Sequence, residues 1–352
     1  MSGGAANERL TLGRPDDAHV HLRDGAALAA VLPFTAERFA RAIVMPNLAP
    51  PLTTTAQVLA YRERIRAALA PGAKFQPLMT LYLTDQTSAE EIARASRSGA
   101  ICGAKLYPAG ATTHSDSGVT DIARLTPALE AMSELDLPLQ VHGELTDPSI
   151  DAFDREARFI ERVLAPLCER WPRLRVVLEH VTTREAVRFV RSARPGVAAT
   201  VTPQHLLYNR NALFAGGLRP HYYCLPLLKT EPDRLSLLEV LAEGNPRFFL
   251  GTDSAPHARQ AKESDCGCAG IFSAHAGIEL YAELFEAEGF LPRLQGFASE
   301  FAADFYRWPR NQESITLVKQ TWTVPASYPF GAAELVPLRA GETVSWQLQP
   351  DA

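Results

Sequence analysis

Residues 17–24 read Asp-Ala-His-Val-His-Leu-Arg-Asp, and the fold is decided by how this stretch compares with the strand ends further along the chain. On an extended strand side chains alternate with period two, so His19 and His21 present both imidazoles to one face. Two neutral imidazoles on one rigid strand make a metal claw, because little conformational freedom is lost when they converge on a cation. Taken alone, a His-x-His pair is more often a polar face, or a core histidine beside an exposed one. The rest of the chain shifts that balance, since one apolar strand after another ends on a residue able to bind a metal or a substrate.

Leu10-Thr-Leu12 is a short lead into the strand that carries His19, His21 and Arg23. Phe39–Val44 is a second apolar run, stopped by Pro46 so that Asn47 stands at its tip. Thr53–Ala70, opened by a Thr cluster and closed by Pro71-Gly72, predicts a helix, and Phe75–Leu83 a third strand. A helix over Ser88–Ser98 precedes strand Ala100–Tyr107, which holds Lys105 in otherwise apolar company. Residues 108–118 are rich in Gly, Ser and Thr and lack periodicity, the mark of a loop long enough to move as a lid. Helix 121–135 leads to strand Leu137–Val141, ending in His142-Gly143-Glu144, and helix 154–170 leads to strand Leu174–Leu178, ending in Glu179-His180. Thr182 or Thr183 caps helix 184–193, before strand Val197–Val201. A long connection and helix 232–243 precede the eighth strand, Phe248–Asp253. A Cys/Gly loop (264–270), two helices (about 274–287 and 293–306) and a β-like tail after Ile315 complete the pattern.

Eight strands alternating with helices make an α/β fold, a (β/α)8 TIM barrel with a short β-like C-terminal tail, the economical assignment. Residues 1–352 are expected to form one domain, with a barrel core of about 15–310 and an extension of about 311–352, because no repeat, linker or low-complexity tract divides them. Catalytic groups in such barrels sit at the C-terminal ends of the strands. Here those ends carry His19, His21, Asn47, Lys105, His142, His180 and Asp253.

Hydrophobic residues at 46% and charged residues at 21% are ordinary for a chain with a well-filled core, which excludes disorder. A net charge of −5 without a basic stripe argues against nucleic acid and for a small-molecule partner. The first residues lack the apolar core of a signal peptide and no run of about 18 apolar residues is present, so a cytoplasmic protein with no membrane contact is expected. The cysteines, Cys102, Cys168, Cys224, Cys266 and Cys268, are odd in number and read as free thiols. Cys266-Gly-Cys268, without a second pair at zinc-finger spacing, reads as loop structure.

Four histidines and an aspartate on four strand ends can hold more than one metal ion. A zinc needs about three protein ligands plus water. His19, His21 and Asp253 suit one ion, while His142 and His180 leave a second under-ligated. Lys105 supplies the missing ligand if carbon dioxide carboxylates its amine. Burial and repulsion by the cations favour the neutral, reactive amine, and the resulting carbamate has two oxygens with which to bridge both ions. A strand lysine in a barrel also suits a Schiff base, as in class I aldolases.

The set His19-Val-His21-Leu-Arg23, Met45-Pro46-Asn47, Lys105-Leu-Tyr-Pro108, Val141-His142-Gly143-Glu144, Leu178-Glu179-His180, Cys224-Leu225-Pro226, Gly251-Thr-Asp253-Ser-Ala-Pro-His257 and Cys266-Gly-Cys-Ala-Gly270 resembles the dihydroorotase family, single-function bacterial type, of the amidohydrolase superfamily. The likeness runs from about residue 15 to 280. It implies two Zn2+ per subunit, one held by His19, His21, Asp253 and Lys105 as N6-carboxylysine, the other by Lys105, His142 and His180. It also implies substrate contacts at His21, Arg23, Asn47, His142, Leu225, His257 and Ala269, a lid containing Thr112 and Thr113, and a homodimer. His114 departs from the Asn expected in the commonest form of that lid.

The implied reaction is reversible cyclisation of N-carbamoyl-L-aspartate to (S)-dihydroorotate and water, a step of pyrimidine biosynthesis. In the hydrolytic direction a metal-bridging hydroxide attacks the ring amide, and Asp253 takes its proton and passes it to the leaving nitrogen. Arg23 offers a rigid fork for the substrate carboxylate. A hydantoinase-like cyclic amidohydrolase would use the same metals without needing that carboxylate site. A non-catalytic scaffold on the same barrel would be expected to have lost ligands. His205, His221 and His275 read as structural or surface residues, and Glu144 and Glu179 as either supports for the ligands or ordinary strand-end carboxylates.

Overall fold

A computed structural model of the protein describes residues 8–265 and 267–349. Its centre is a parallel sheet whose strands follow one another in chain order: β1 (Asp16–Val20), β2 (Arg41–Val44), β3 (Gln76–Tyr82), β4 (Ile101–Leu106), β5 (Leu139–Val141), β6 (Val176–Leu178), β7 (Val197–Val201) and β8 (Phe248–Leu250). Just past their ends β1 and β8 meet, the Asp253 amide donating to the His19 carbonyl (2.8 Å) and the His21 amide to the Ser254 carbonyl (3.0 Å). The buried Asp17 carboxylate reinforces this seam by accepting from the Thr252 amide (2.8 Å), the Thr252 hydroxyl (2.6 Å) and the His19 amide (3.1 Å). With helices between the strands, the architecture is the expected (β/α)8 barrel.

Sequence-local signals set many of the helix boundaries. Thr54 and Gln57 form a capping box for helix Thr55–Ala68, Ser88 caps Ala89–Arg97, and of the two adjacent threonines it is Thr183 that caps Arg184–Ser192. The longest helix to escape the sequence reading lies early in the chain. Gly25–Arg38, between β1 and β2, carries Pro33 in its interior and a weak apolar stripe, so neither propensity nor periodicity announces it. Helix 154–170 is continuous but passes through a π-turn at Ile160–Leu164. The tail is β as expected. Ser314–Val318 pairs antiparallel with Arg9–Gly13 and with Gln347–Leu348, so the short lead is itself a strand on a small sheet beside the barrel.

The barrel interior explains where the chemistry lies. Ala18, Ile43, Val177, Ala198 and Phe249 form an apolar floor, sealed by Ala302 and Tyr306 of helix Phe301–Tyr306. Gln140 Nε2 donates to the Tyr306 hydroxyl at 2.9 Å. One step of the two-residue repeat beyond Gly103, Gln140, Val177 and Ala198 come Lys105, His142, Glu179 and Thr200. Burying a large apolar side chain such as Phe249 stabilises the fold by about 1.5–3 kcal/mol, and a floor of such groups offsets the cost of the buried polar layer above it.

Candidate active site

His19 Nε2 and His21 Nε2 lie 3.3 Å apart, and Asp253 Oδ1 sits 3.3 Å from the first and 3.1 Å from the second. All three residues are buried. Two ring nitrogens and a carboxylate oxygen that converge so closely are placed to share one cation. Among the described residues this is the close cluster of histidine and acidic groups able to hold a metal. The nitrogen and oxygen donors suit zinc or a similar borderline ion.

The next two histidines border that cluster. The His180 ring lies 5.1 Å from the His19 ring and 4.8 Å from the His142 ring, centroid to centroid. His180 Nδ1 is buried without a hydrogen-bond partner. Lys105, fully buried on β4, likewise has no partner for Nζ, which faces the Tyr107 ring at 5.2 Å. Burial pushes its ammonium down to about 8, the condition under which a lysine amine becomes reactive. Desolvation also holds His19, His21 and His180 below the usual imidazole range and raises the Asp253 carboxyl. Lowered histidines are neutral, as metal ligation requires.

Arg23 stands at the rim, its Nε donating to the Pro256 carbonyl (2.9 Å) and its Nη2 lying 3.0 Å from His257 Nε2. The same His257 nitrogen lies 3.0 Å from the Ala269 carbonyl, and burial with the nearby guanidinium pushes this imidazole down to about 2. His19, His21, Arg23, Asn47, Tyr107, Thr112, Thr113, His142, His180, Leu225, Asp253 and Ala269 line one cavity. His257 is tied to two members of that wall, Arg23 and Ala269.

The profile of the amidohydrolase family matches residues 17–316. A protein of Methylobacillus flagellatus called dihydroorotase is 63% identical over 340 residues, 97% of this chain and 99% of its own. The crystal structure of a Campylobacter jejuni dihydroorotase superposes with a TM-score of 0.90 at 36% identity, covering 98% of both chains. That of a Saccharomyces cerevisiae dihydroorotase in complex with 5-fluoroorotic acid gives 0.89 at 32% identity, covering 98% of this chain and all (100%) of that one. The chain belongs to the dihydroorotase family of amidohydrolases.

In this dihydroorotase-family chain the Gly/Ser/Thr loop is docked over the cavity. Thr113 Oγ1 donates to the Ala269 carbonyl (3.3 Å), and Asn47 Nδ2 donates to the Thr113 carbonyl (3.2 Å). His114 Nδ1 meets the Asn47 carbonyl at 3.2 Å, so that nitrogen carries the proton. His114 also has φ +57, a left-handed conformation that Asn and His both tolerate better than most residues. Arg23, His180 and Asp253 share this conformation, with φ of +59, +42 and +44. Strained backbone of this kind persists where the surrounding structure over-determines it, as at active sites.

One participant is absent from the residues picked out by sequence, and two that the sequence left between alternatives gain a definite place. Tyr107 lines the cavity but looked like the apolar end of a strand. Glu179 accepts from His19 Nδ1 (2.8 Å) and the Thr200 hydroxyl (2.6 Å), and Glu144 lies 2.8 Å from His142 Nε2. Both carboxylates therefore orient imidazole rings of the cavity wall. His205 is structural, bridging the Thr202 hydroxyl (2.6 Å) and the Pro226 carbonyl (2.9 Å), and His221 pairs with Glu263 at 2.8 Å. His275 is buried against Phe272 and Tyr328. Cys102, Cys168, Cys224 and Cys268 are free thiols, and Cys266 lies outside the described residues.

Proposed function

We propose that the protein catalyses the reversible cyclisation of N-carbamoyl-L-aspartate to (S)-dihydroorotate and water, using two zinc ions per subunit. The observation that carries this reading is one cavity in which the His19/His21/Asp253 cluster and the Arg23 guanidinium face the same space. His19, His21 and Asp253 would hold one ion, His142 and His180 the other, with Lys105 between them as N6-carboxylysine. The partnerless Nζ of Lys105 and Nδ1 of His180, in a site otherwise rich in paired groups, support that fit. When bound, the ions supply Lewis-acid polarisation of the ring carbonyl and activation of water.

The protein's own groups do the rest. Arg23 receives the substrate carboxylate as a two-pronged donor, with Asn47 and the backbone at Leu225 and Ala269 beside it and His257 holding Arg23 and Ala269 in place. Asp253, whose carboxyl burial raises, takes the proton released at the reacting water and passes it to the ring nitrogen. Thr112 and Thr113 close over the substrate and exclude water. The yeast relative's ligand, a pyrimidine carboxylic acid, is of the class this arrangement suits. A hydantoinase-like activity would leave Arg23 without a carboxylate to bind, and a non-catalytic scaffold would have no use for a full ligand set. The reading includes a homodimer in the cytoplasm acting on a small molecule without nucleic acid. The family supports the small-molecule substrate, and the net charge of −5 is unlike that of a nucleic-acid binder. No helix among the described residues is long and apolar enough to cross a membrane.

The test is metal content and dihydroorotate hydrolysis on one purified preparation, with hydantoin as the rival substrate. Two zinc equivalents and turnover of dihydroorotate are expected. Turnover of hydantoin in its place would overturn the assignment.

A further inference from the structure

Lys262 ends the short helix Arg259–Lys262 that follows His257, and it has no part in the chemistry described above. Its side chain is buried, yet its charge is met by three backbone carbonyls: Nζ donates to Tyr223 (2.7 Å), Cys268 (2.9 Å) and Gly270 (2.6 Å). An ammonium has three N–H donors, so all of them are used. Desolvation is costly for a compact cation, and burial lowers its pKa to about 8. What the three acceptors have in common is their position. Tyr223 lies two residues before Leu225, while Cys268 and Gly270 flank Ala269, and both Leu225 and Ala269 are on the cavity wall.

The two segments are also bound to each other. The Gly270 amide donates to the Tyr223 carbonyl at 3.0 Å. Gly270 has φ +147, and a Cβ there would come within 2.6 Å of the Ala255 carbonyl oxygen, so the loop lies too close to its neighbour for any side chain. The Ala269 carbonyl is in turn where Thr113 of the lid lands and where His257 is anchored.

We propose that Lys262 is a positioning residue for substrate binding, its ammonium tying residues 223–225 and 268–270 into one platform that presents Leu225 and Ala269 to the substrate and receives the lid. The kinetic part of this proposal rests on the dihydroorotase reading. Lys262→Met keeps the aliphatic stem and removes all three donors. In the folded variant, zinc content stays at the wild-type level and kcat within a factor of about three, while KM for dihydroorotate rises on the order of ten- to a hundredfold. Lys262→Gln, which restores a polar head, recovers part of that loss. A purely structural lysine would lower the melting temperature and leave KM alone.

Amide hydrogen exchange gives a readout that needs no activity. Exchange in 223–225 and 268–271 should accelerate in both variants, with the strands of the barrel unchanged. Wild-type KM in zinc-loaded Lys262→Met, unaltered exchange in the two segments, or failure of both variants to fold would each overturn the proposal. A wild-type protein that leaves dihydroorotate untouched would defeat the functional reading alone, and the exchange data would still decide whether the platform exists.

Discussion

Glu179 Oε2 accepts the Nδ1 proton of His19 at 2.8 Å, and this contact fixes which nitrogen of His19 faces the metal cluster. With Nδ1 committed to the carboxylate, the lone pair of Nε2 points toward His21 and Asp253. Glu179→Gln keeps the shape but removes the charge that makes the imidazole a better donor. Zinc affinity should fall about ten- to a hundredfold, read by competition with a chromogenic chelator. Unchanged affinity would make Glu179 a bystander.

Arg23 lines the cavity, and its guanidinium is held by Pro256 and His257 and is not part of the His19/His21/Asp253 cluster. Arg23→Met should therefore leave the metal content intact. Loss of a charged hydrogen-bond partner costs about 1.5–3 kcal/mol, so kcat/KM for dihydroorotate should drop on the order of ten- to a hundredfold. Kinetics like those of the wild type would remove Arg23 from the site.

The 108–118 loop, proposed as a lid, is held by hydrogen bonds to Asn47 and Ala269. Replacing Thr112 and Thr113 together by Ala removes two hydroxyls from residues on the cavity wall, including the one that reaches Ala269. Turnover should fall while zinc binding and melting temperature hold, because closure, not folding, is affected. Full kcat in the double variant would show that closure does not need these hydroxyls.

Away from the site, Glu231 opens helix Glu231–Ala242 and is held by Arg234 and Asn209, which bring its carboxyl down from 4.5 to about 2. A depressed carboxyl contributes stability that is present above the unfolded value and lost as the pH falls through the folded one. Solvent around this partly exposed pair limits the effect to within about 1 kcal/mol. Glu231→Gln should be less stable than wild type at pH 7 in urea melts, and the gap should close between about pH 4.5 and pH 2. A constant gap across that window would mean the loss is not electrostatic.

How much of this was legible beforehand differs by residue, for physical reasons. The strand-end ligands are polar groups interrupting apolar runs, a contrast that needs no neighbours to be seen, and the structure brings His19, His21 and Asp253 together. Helix Gly25–Arg38 was hidden because its stability comes from packing of Leu28, Val31 and Leu32 while Pro33 erases the local signal. Tyr107 lines a cavity assembled from residues far apart in sequence and Lys262 reaches back to Tyr223, while a tyrosine at a strand end or a lysine in a polar stretch looks like many others. Glu144 and Glu179 were visible as neighbours of ligands, but their aim depends on backbone geometry that only the folded barrel supplies. The convergence of His19, His21 and Asp253 was readable in advance; the docking of Thr113 on Ala269 was not.

The central claim is that Asp253 both completes the metal cluster and moves the proton. Asn in its place keeps the shape and one oxygen donor, but an amide does not take up a proton at any useful pH. The measurement is dihydroorotate hydrolysis, zinc content and dihydroorotate affinity on a single preparation of Asp253→Asn beside the wild type. Turnover should be almost abolished, with part of the zinc retained and the substrate still bound through Arg23, Asn47 and the Ala269 backbone. Substantial turnover with both zinc ions bound would contradict the account, because another group would then have to carry the proton.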